Sequence, residues 1–423
     1  MHALLADLFP ICRSITGDGV RETLRRLQAV APIEIREVPS GTPVLDWTVP
    51  NEWNVRDAWV KNAAGERVVD FRASNLHVLN YSMPVRRTVS LAELREHCYT
   101  LPEQPDLVPY RTSYYKETWG FCLSAHQLDA LPDGDYEVCV DSSLEPGHLT
   151  YGELYLPGDA GEDILISAHV CHPSLANDNL SGVVVAAHLA ALVAGRERRL
   201  GYRFLFVPGT IGSITWLSDH HDVTPGIRHG LVLAGVGDAG GVHYKRSRRG
   251  DAPVDRAMAH VLRHSHRPHE LSDFTPYGYD ERQYCSPGFD LPVGCLSRTP
   301  HATYPEYHTS ADNTAFVKPE ALADSLSICR EVCEVLEGDQ VWLNINPKGE
   351  PQLGRRGLYG AIGGRTAAPE TERAMLWVLN FSDGKHSLLD IAERSGLAFA
   401  VVEGAARVLA AHDLLDVSRE IRS

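Results

Sequence analysis

Between residues 151 and 236 the hydrophobic pattern switches repeatedly between strand and helix, and no other feature of this chain constrains its fold so tightly. Residues 164–169 form a short apolar strand and 181–194 a helix rich in Val and Ala. Residues 202–207 are a second strand, 213–218 a helix start and 231–236 a third strand. Strand, helix, strand, helix, strand predicts an α/β fold with a doubly wound sheet. Ligands of such sheets gather beyond the carboxyl ends of the strands, so chemistry is sought in the residues that follow each strand.

What flanks this core has a different texture. Two helices, 4–13 and 20–30, are separated by a break at Gly17 and Asp18. From residue 33 to about 149, Pro39, Pro43 and Pro50 punctuate short β-rich pieces at 44–49, 57–61 and 67–71. The expected organisation is a discontinuous α/β domain of residues 1–44 and 150–345, with a β-rich domain inserted over 45–149. Residues 347–366 hold six glycines and read as a linker, and helices at 372–379, 387–394 and 398–411 resemble a winged helix within 346–423.

Composition narrows the partners. Forty basic against 55 acidic residues give a charge of −15, which argues against a nucleic-acid-coating protein. The would-be recognition helix, 398–411, carries Arg407 as its one cation, beside Glu403, so a structural or docking role is expected there. The longest apolar stretch, 183–194, is broken by His188, and no membrane span is expected. The first nine residues contain Asp7 and lack a basic start, which suggests a cytoplasmic protein. Nine cysteines without a CxxC point to reduced thiols rather than a disulfide framework or a zinc ribbon.

The sharpest stretch is residues 167–182, Ser-Ala-His-Val-Cys-His-Pro-Ser-Leu-Ala-Asn-Asp-Asn-Leu-Ser-Gly. His169 closes a strand and Asp178 precedes a helix, so the two side chains can meet in one strand-end pocket. A neutral imidazole and an ionised carboxylate both suit zinc. The plainer reading is a capped helix beside a hydrogen-bonded histidine, and it loses ground once His308 is considered. That residue lies in 304–313, flanked by Glu306, Tyr307 and Thr309, and a metal-bound imidazole needs an acceptor for its other nitrogen. Asp312 in the same stretch is expected to cap the segment that follows.

In this order, His169, Asp178-Asn179-x-Ser181-Gly182, an aspartate after a strand and Tyr307-His308-Thr309 resemble the metal-ligand series of the zinc aminopeptidase and glutaminyl cyclase superfamily. The strings 9–17, 46–50, 208–213 and 280–288 resemble, more closely, an aminopeptidase-like family with an inserted β-rich domain and a C-terminal winged helix. Many of its members are associated with polysaccharide or natural-product biosynthesis. The resemblance spans nearly the whole chain. It implies metal ligands at His169, Asp178 and His308, with Asp238 the less secure match for a third carboxylate. It also implies that Asp280 sits in the pocket, orienting substrate or a ligand, with Arg282, Tyr284 and Tyr307 as substrate contacts.

One departure stands out. The peptidases carry a Glu-Glu pair, base and ligand, after the strand corresponding to 202–207, whereas this chain reads Pro208-Gly209-Thr210. One zinc ion is therefore favoured over two, with Glu281 and Glu306 as substitute bases. A glutamate introduced at Gly209 is expected to add a base. Cys171 and His172 also replace the superfamily's His-x-Asp pattern; Cys171 reads as packing, and either residue could tune His169 or add a ligand.

Weaker candidates are Lys245, in a basic run after the third strand, as a contact for a substrate carboxylate, and the cluster His260, His264, His266 and His269, read as a solvated face. The glycines of 235–240 lack the helix-opening context of a nucleotide loop. The expected function is zinc-dependent hydrolysis of an amide bond in a small aminoacyl or peptide-like substrate. A metal-dependent acyl transferase or cyclase, or a non-catalytic binding protein, are the alternatives. No nucleic acid or membrane partner is expected, and a homo-oligomer remains open.

Overall fold

The computed structural model describes residues 1–358 and 370–417. The chain divides into two compact units, Met1–Ala252 with Pro268–Ser327, and Pro253–Arg267 with Ile328–Ser423. In the first, an eight-stranded mixed sheet runs in the order Glu34–Pro39, His148–Leu156, Gly201–Val207, Asp163–His169, Ile227–Leu233, Val293–Ser297, Val242–Lys245 and His269–Ser272. The four strands from Gly201–Val207 to Val293–Ser297 are parallel. Asp163–His169 and Gly201–Val207 are buried at every position. Strands covered on both faces read as continuous apolar runs, which is why both were legible.

Asp163–His169 comes first of the parallel strands in the chain. The next, Gly201–Val207, pairs on one side of it and Ile227–Leu233 on the other. The winding therefore reverses at the carboxyl end of Asp163–His169, the place where sheets of this kind gather ligands. The helix Gly182–Ala194 packs on all three strands. With the turn before it, Ala176–Ala194 is long and apolar enough to cross a membrane, contrary to the expectation from sequence, but 78% of that window is buried within the fold as a core helix is.

Several local expectations shift. The first helix is His2–Leu8 and stops short of Pro10, which has no N–H to continue the helical hydrogen bonds. Residues 44–49 are not one strand but the hairpin Pro43–Val44 with Trp47–Thr48, turned at Leu45 (φ 55°). The third core strand ends at Leu233, because the N–H groups of Gly235, Val236 and Gly237 are taken by side chains of Asn179, Ser181 and Asn177. The β-rich region forms a four-stranded antiparallel sheet, Arg67–Asp70, Glu52–Lys61, Asp135–Glu145 and Val85–Ser90.

The second unit is a winged helix. Helices Glu370–Phe381, Leu388–Ser395 and Phe399–Ala410 accompany a three-stranded sheet, Asp383–Ser387, Val341–Asn344 and Leu415–Val417. Ser387 and Asp390 form a capping box at the middle helix, and Gly396, at φ 71°, closes it in the left-handed region at the expected turn. Val341–Asn344 pairs within this sheet, so it belongs here and not to the α/β domain that was drawn to residue 345. Of the linker, residues 359–366 lie outside the described residues. Helix Pro253–His264 also belongs to this unit. His260 is buried, and its Nε2 accepts the backbone N–H of Phe399 at 2.9 Å, a correction to its reading as part of a solvated face.

Candidate metal centre

Asp178 is the hub of the site. Its Oδ1 accepts from His169 Nε2 at 2.8 Å and its Oδ2 from His308 Nε2 at 2.9 Å. His172 turns its Nδ1 to within 3.8 Å of the same Oδ1. Donor atoms of His169, His172 and Asp178 all lie within 4.8 Å of one another, and all three residues are buried. His308 stands on the carboxylate's second oxygen. Burial pushes the Asp178 carboxyl up, but His172, His169 and His308 outweigh it and hold the group well below the usual carboxylate range. Burial also holds the His172 imidazole well below its ordinary value.

Local structure explains how these groups converge. His169 is the last residue of its strand, opposite Val207. Asn179 Nδ2 donates to His169 Nδ1 at 3.2 Å and to Leu233 O at 2.8 Å, which leaves His169 Nε2 as the nitrogen whose proton points at Asp178. Asp312 accepts the N–H groups of Asn177 and Asp178 at 2.6 and 2.9 Å. It thus fastens the Asp178 loop rather than capping its own following segment, and burial pushes its carboxyl up to about 7. A donor set of two or three imidazoles around one ionised, buried carboxylate fits zinc, a metal ion taking the place of the imidazole protons that now face Asp178.

The site has a roof of tyrosines, of which sequence reading named Tyr307 and missed Tyr279 and Tyr110. Tyr279 stacks on His169, rings 3.8 Å apart and 22° from parallel, and its hydroxyl is hydrogen-bonded to His172 Nε2 at 2.9 Å. Tyr110, from the β-rich region, sets its ring edge-on to His172 and His308, and its N–H donates to His308 O at 2.7 Å. Tyr307 stacks on His308 at 4.0 Å. A Cβ on Gly209 would lie 2.5 Å from the Tyr279 ring, so glycine at 209 and tyrosine at 279 are sterically paired.

The other residues singled out from sequence fall elsewhere. Asp238 accepts from Gly240 N and Thr299 Oγ1 on one oxygen, and from Asn177 Nδ2 and Thr299 N on the other. Both oxygens are thus spent on the loop, outside the cluster around Asp178. Glu281 is fully buried, ion-paired with Lys245 at 2.6 Å, and accepts the N–H of Tyr279. That pair locks the turn bearing Tyr279, which corrects both the base expected at Glu281 and the substrate contact expected at Lys245. Tyr284 is fully buried with its hydroxyl on Ser167, a core position rather than a substrate contact, and Arg282 is exposed. Glu306 is half-buried, and its backbone carbonyl accepts from Thr309. Asp280 differs from the other carboxylates. Burial pushes it up to about 6; one oxygen accepts from Ser213 at 2.7 Å, and Oδ2 is buried without a hydrogen-bond partner among the described residues.

Comparison with known proteins identifies the family. Residues 2–339 match the family described as domain of unknown function DUF4910, and residues 340–417 a winged helix-turn-helix family. Over 415 residues the chain is 51% identical to a candidate polysaccharide biosynthesis protein with an aminopeptidase-like domain from Clostridium acetobutylicum, covering 98% of this chain and 95% of the relative. The crystal structure of a candidate peptidase from the same organism matches with a TM-score of 0.94 and 49% identity, over 98% of this chain and 95% of that one. A zinc aminopeptidase from Bacillus subtilis shares the fold at a TM-score of 0.56 and 11% identity, over 78% of this chain and 93% of that one.

Proposed function

The chain belongs to the DUF4910 family, and from that premise and its aminopeptidase-like scaffold we propose that it is a zinc-dependent hydrolase of amide bonds in a small aminoacyl compound, working in polysaccharide or natural-product biosynthesis. The observation that carries this reading is the buried, ionised Asp178 with imidazoles on both its oxygens, at the sheet's switch point. His169 and Asp178 are the core of the ligand set, with His308 on the second oxygen. Zinc bound there would polarise a scissile carbonyl and acidify a water molecule.

The chain's own groups do the rest. Asp280, with its carboxyl pushed up to about 6 and Oδ2 without a hydrogen-bond partner among the described residues, is suited to take and return a proton close to neutral pH. It fills the part first assigned to Glu281 or Glu306. Tyr110, Tyr279 and Tyr307 wall the histidines with aromatic surface, and His169 and His172 are buried beneath it. The missing glutamate pair also supports a second reading, acyl transfer to an amine, because an amine needs less activation than water. Purified protein incubated with aminoacyl anilides, with and without an added amine, separates the two. Free amino acid in both mixtures supports hydrolysis, an amide product supports transfer, and no product in either from zinc-loaded protein overturns the reading.

A further inference from the structure

His172 has no part in the function as stated. Its imidazole is 5% exposed, yet Nδ1 has no hydrogen-bond partner among the described residues. Leaving a buried polar atom unpaired costs about 1–3 kcal/mol, so such an atom calls for an explanation. Asp178 Oδ1 faces it at 3.8 Å, too far for a hydrogen bond. The ring is nevertheless fixed on every other side. Nε2 is held by Tyr279 Oη at 2.9 Å, and the His172 carbonyl accepts from the buried Arg13 Nε at 2.8 Å. Ser174 Oγ, two residues on, donates to Phe9 O at 3.0 Å. The N-terminal string 9–17 thus serves as a clamp on the His172 loop.

Building on the zinc reading, we infer that His172 is itself a metal ligand, through Nδ1, and that it replaces the carboxylate missing after Gly201–Val207. The ligand set is then His169, His172 and Asp178, two imidazoles and one carboxylate. Three protein ligands leave a position open for substrate, as catalytic zinc sites require. His308 orients Asp178 through Oδ2, and Tyr279 orients His172 by accepting its Nε2–H, the usual outer partner of a ligating imidazole. The replacement is coupled to the glycine. Tyr279 reaches His172 only by lying across Gly209, where any side chain would collide with its ring. A carboxylate at 209 and the His172–Tyr279 pair are therefore mutually exclusive solutions to the same need.

The test is zinc titration against a chelating dye, with visible spectra of the cobalt(II)-substituted full chain, for wild type, His172→Gln, Tyr279→Phe and His308→Gln. Thermal melting of each variant checks folding. His172→Gln should weaken zinc binding by more than about 100-fold and change the cobalt bands. Tyr279→Phe and His308→Gln should each weaken binding by about 10- to 100-fold, the range for outer partners, with the bands retained. If His172→Gln fails to fold, Tyr279→Phe decides: wild-type affinity in that variant overturns the inference. Wild-type affinity and spectrum in folded His172→Gln overturn it while leaving zinc binding intact, as does a cobalt spectrum that changes with His308 instead. A wild-type chain that binds no zinc overturns the zinc reading as well.

Discussion

Gly209→Ala is the smallest change that probes how this centre is built. The added Cβ would stand 2.5 and 3.0 Å from two ring carbons of Tyr279 and 3.2 Å from His169 Cβ. The ring would have to retreat by about 1 Å to restore ordinary contact, yet it is stacked on His169 and tied to His172. Overpacking of this kind costs about 1–3 kcal/mol. Losing the hydroxyl's hydrogen bond adds about 1 kcal/mol. For a unit of this size each kcal/mol lowers Tm by about 2 °C, so calorimetry should show a fall of about 4–8 °C in the transition of the first unit. The same substitution in a Tyr279→Ala background should be almost neutral, giving a coupling of about 2–4 kcal/mol. Gly209→Glu alone should misplace Tyr279 and gain no activity, contrary to the expectation from sequence, whereas Gly209→Glu with Tyr279→Ala has room for the carboxylate. A Gly209→Ala protein that melts within about 1 °C of wild type, or a loss that persists without Tyr279, would refute the steric pairing.

Other consequences follow from particular residues. Burial lowers the His260 imidazole to about 4 from an ordinary 6.5, so its neutral state stabilises the second unit above pH 6.5. That contribution, up to about 3 kcal/mol, is lost as pH falls from 6.5 towards 4, because the unfolded chain then binds the extra proton. Melting the full chain across this range should show an acid-labile transition that His260→Leu makes less steep; unchanged steepness would contradict this. The C-terminal domain should not bind DNA with useful affinity, since Arg407, the lone cation of Phe399–Ala410, is ion-paired with Glu403 at 2.7 Å. Sub-micromolar anisotropy binding that weakens steeply with salt would contradict that. Asp280→Asn should lower turnover of an aminoacyl substrate by about 10²- to 10⁴-fold while zinc content stays at wild-type level. Equal turnover would remove Asp280 from the proton path.

Much of the framework was legible because strand periodicity and strand ends are local properties. His169 ends an apolar run and Asp178 lies in the turn before a helix, so both could be placed from sequence alone. The rest depended on whether lone pairs were already taken. Asp238 and Glu281 carry the right chemistry at suggestive positions, but four hydrogen-bond donors claim the first and Lys245 the second. No local pattern announces such partners. Tyr110 reaches the site from a region about 60 residues upstream of His169, whose packing there no periodicity encodes. Tyr279 left no trace in its own string; Gly209, whose Cβ would lie 2.5 Å from the Tyr279 ring, was read from sequence only as a missing carboxylate. Asp312 was recognised as a cap but assigned to the wrong segment, because a carboxylate can serve N–H groups far away in sequence.

Metal content tests the central claim most directly. Protein purified without chelators and dialysed should retain about one zinc ion per chain, and His169→Ala and Asp178→Ala, each still folded by circular dichroism, should retain essentially none. Zinc remaining near one per chain in both variants, or absent from folded wild type after reconstitution, would contradict the account.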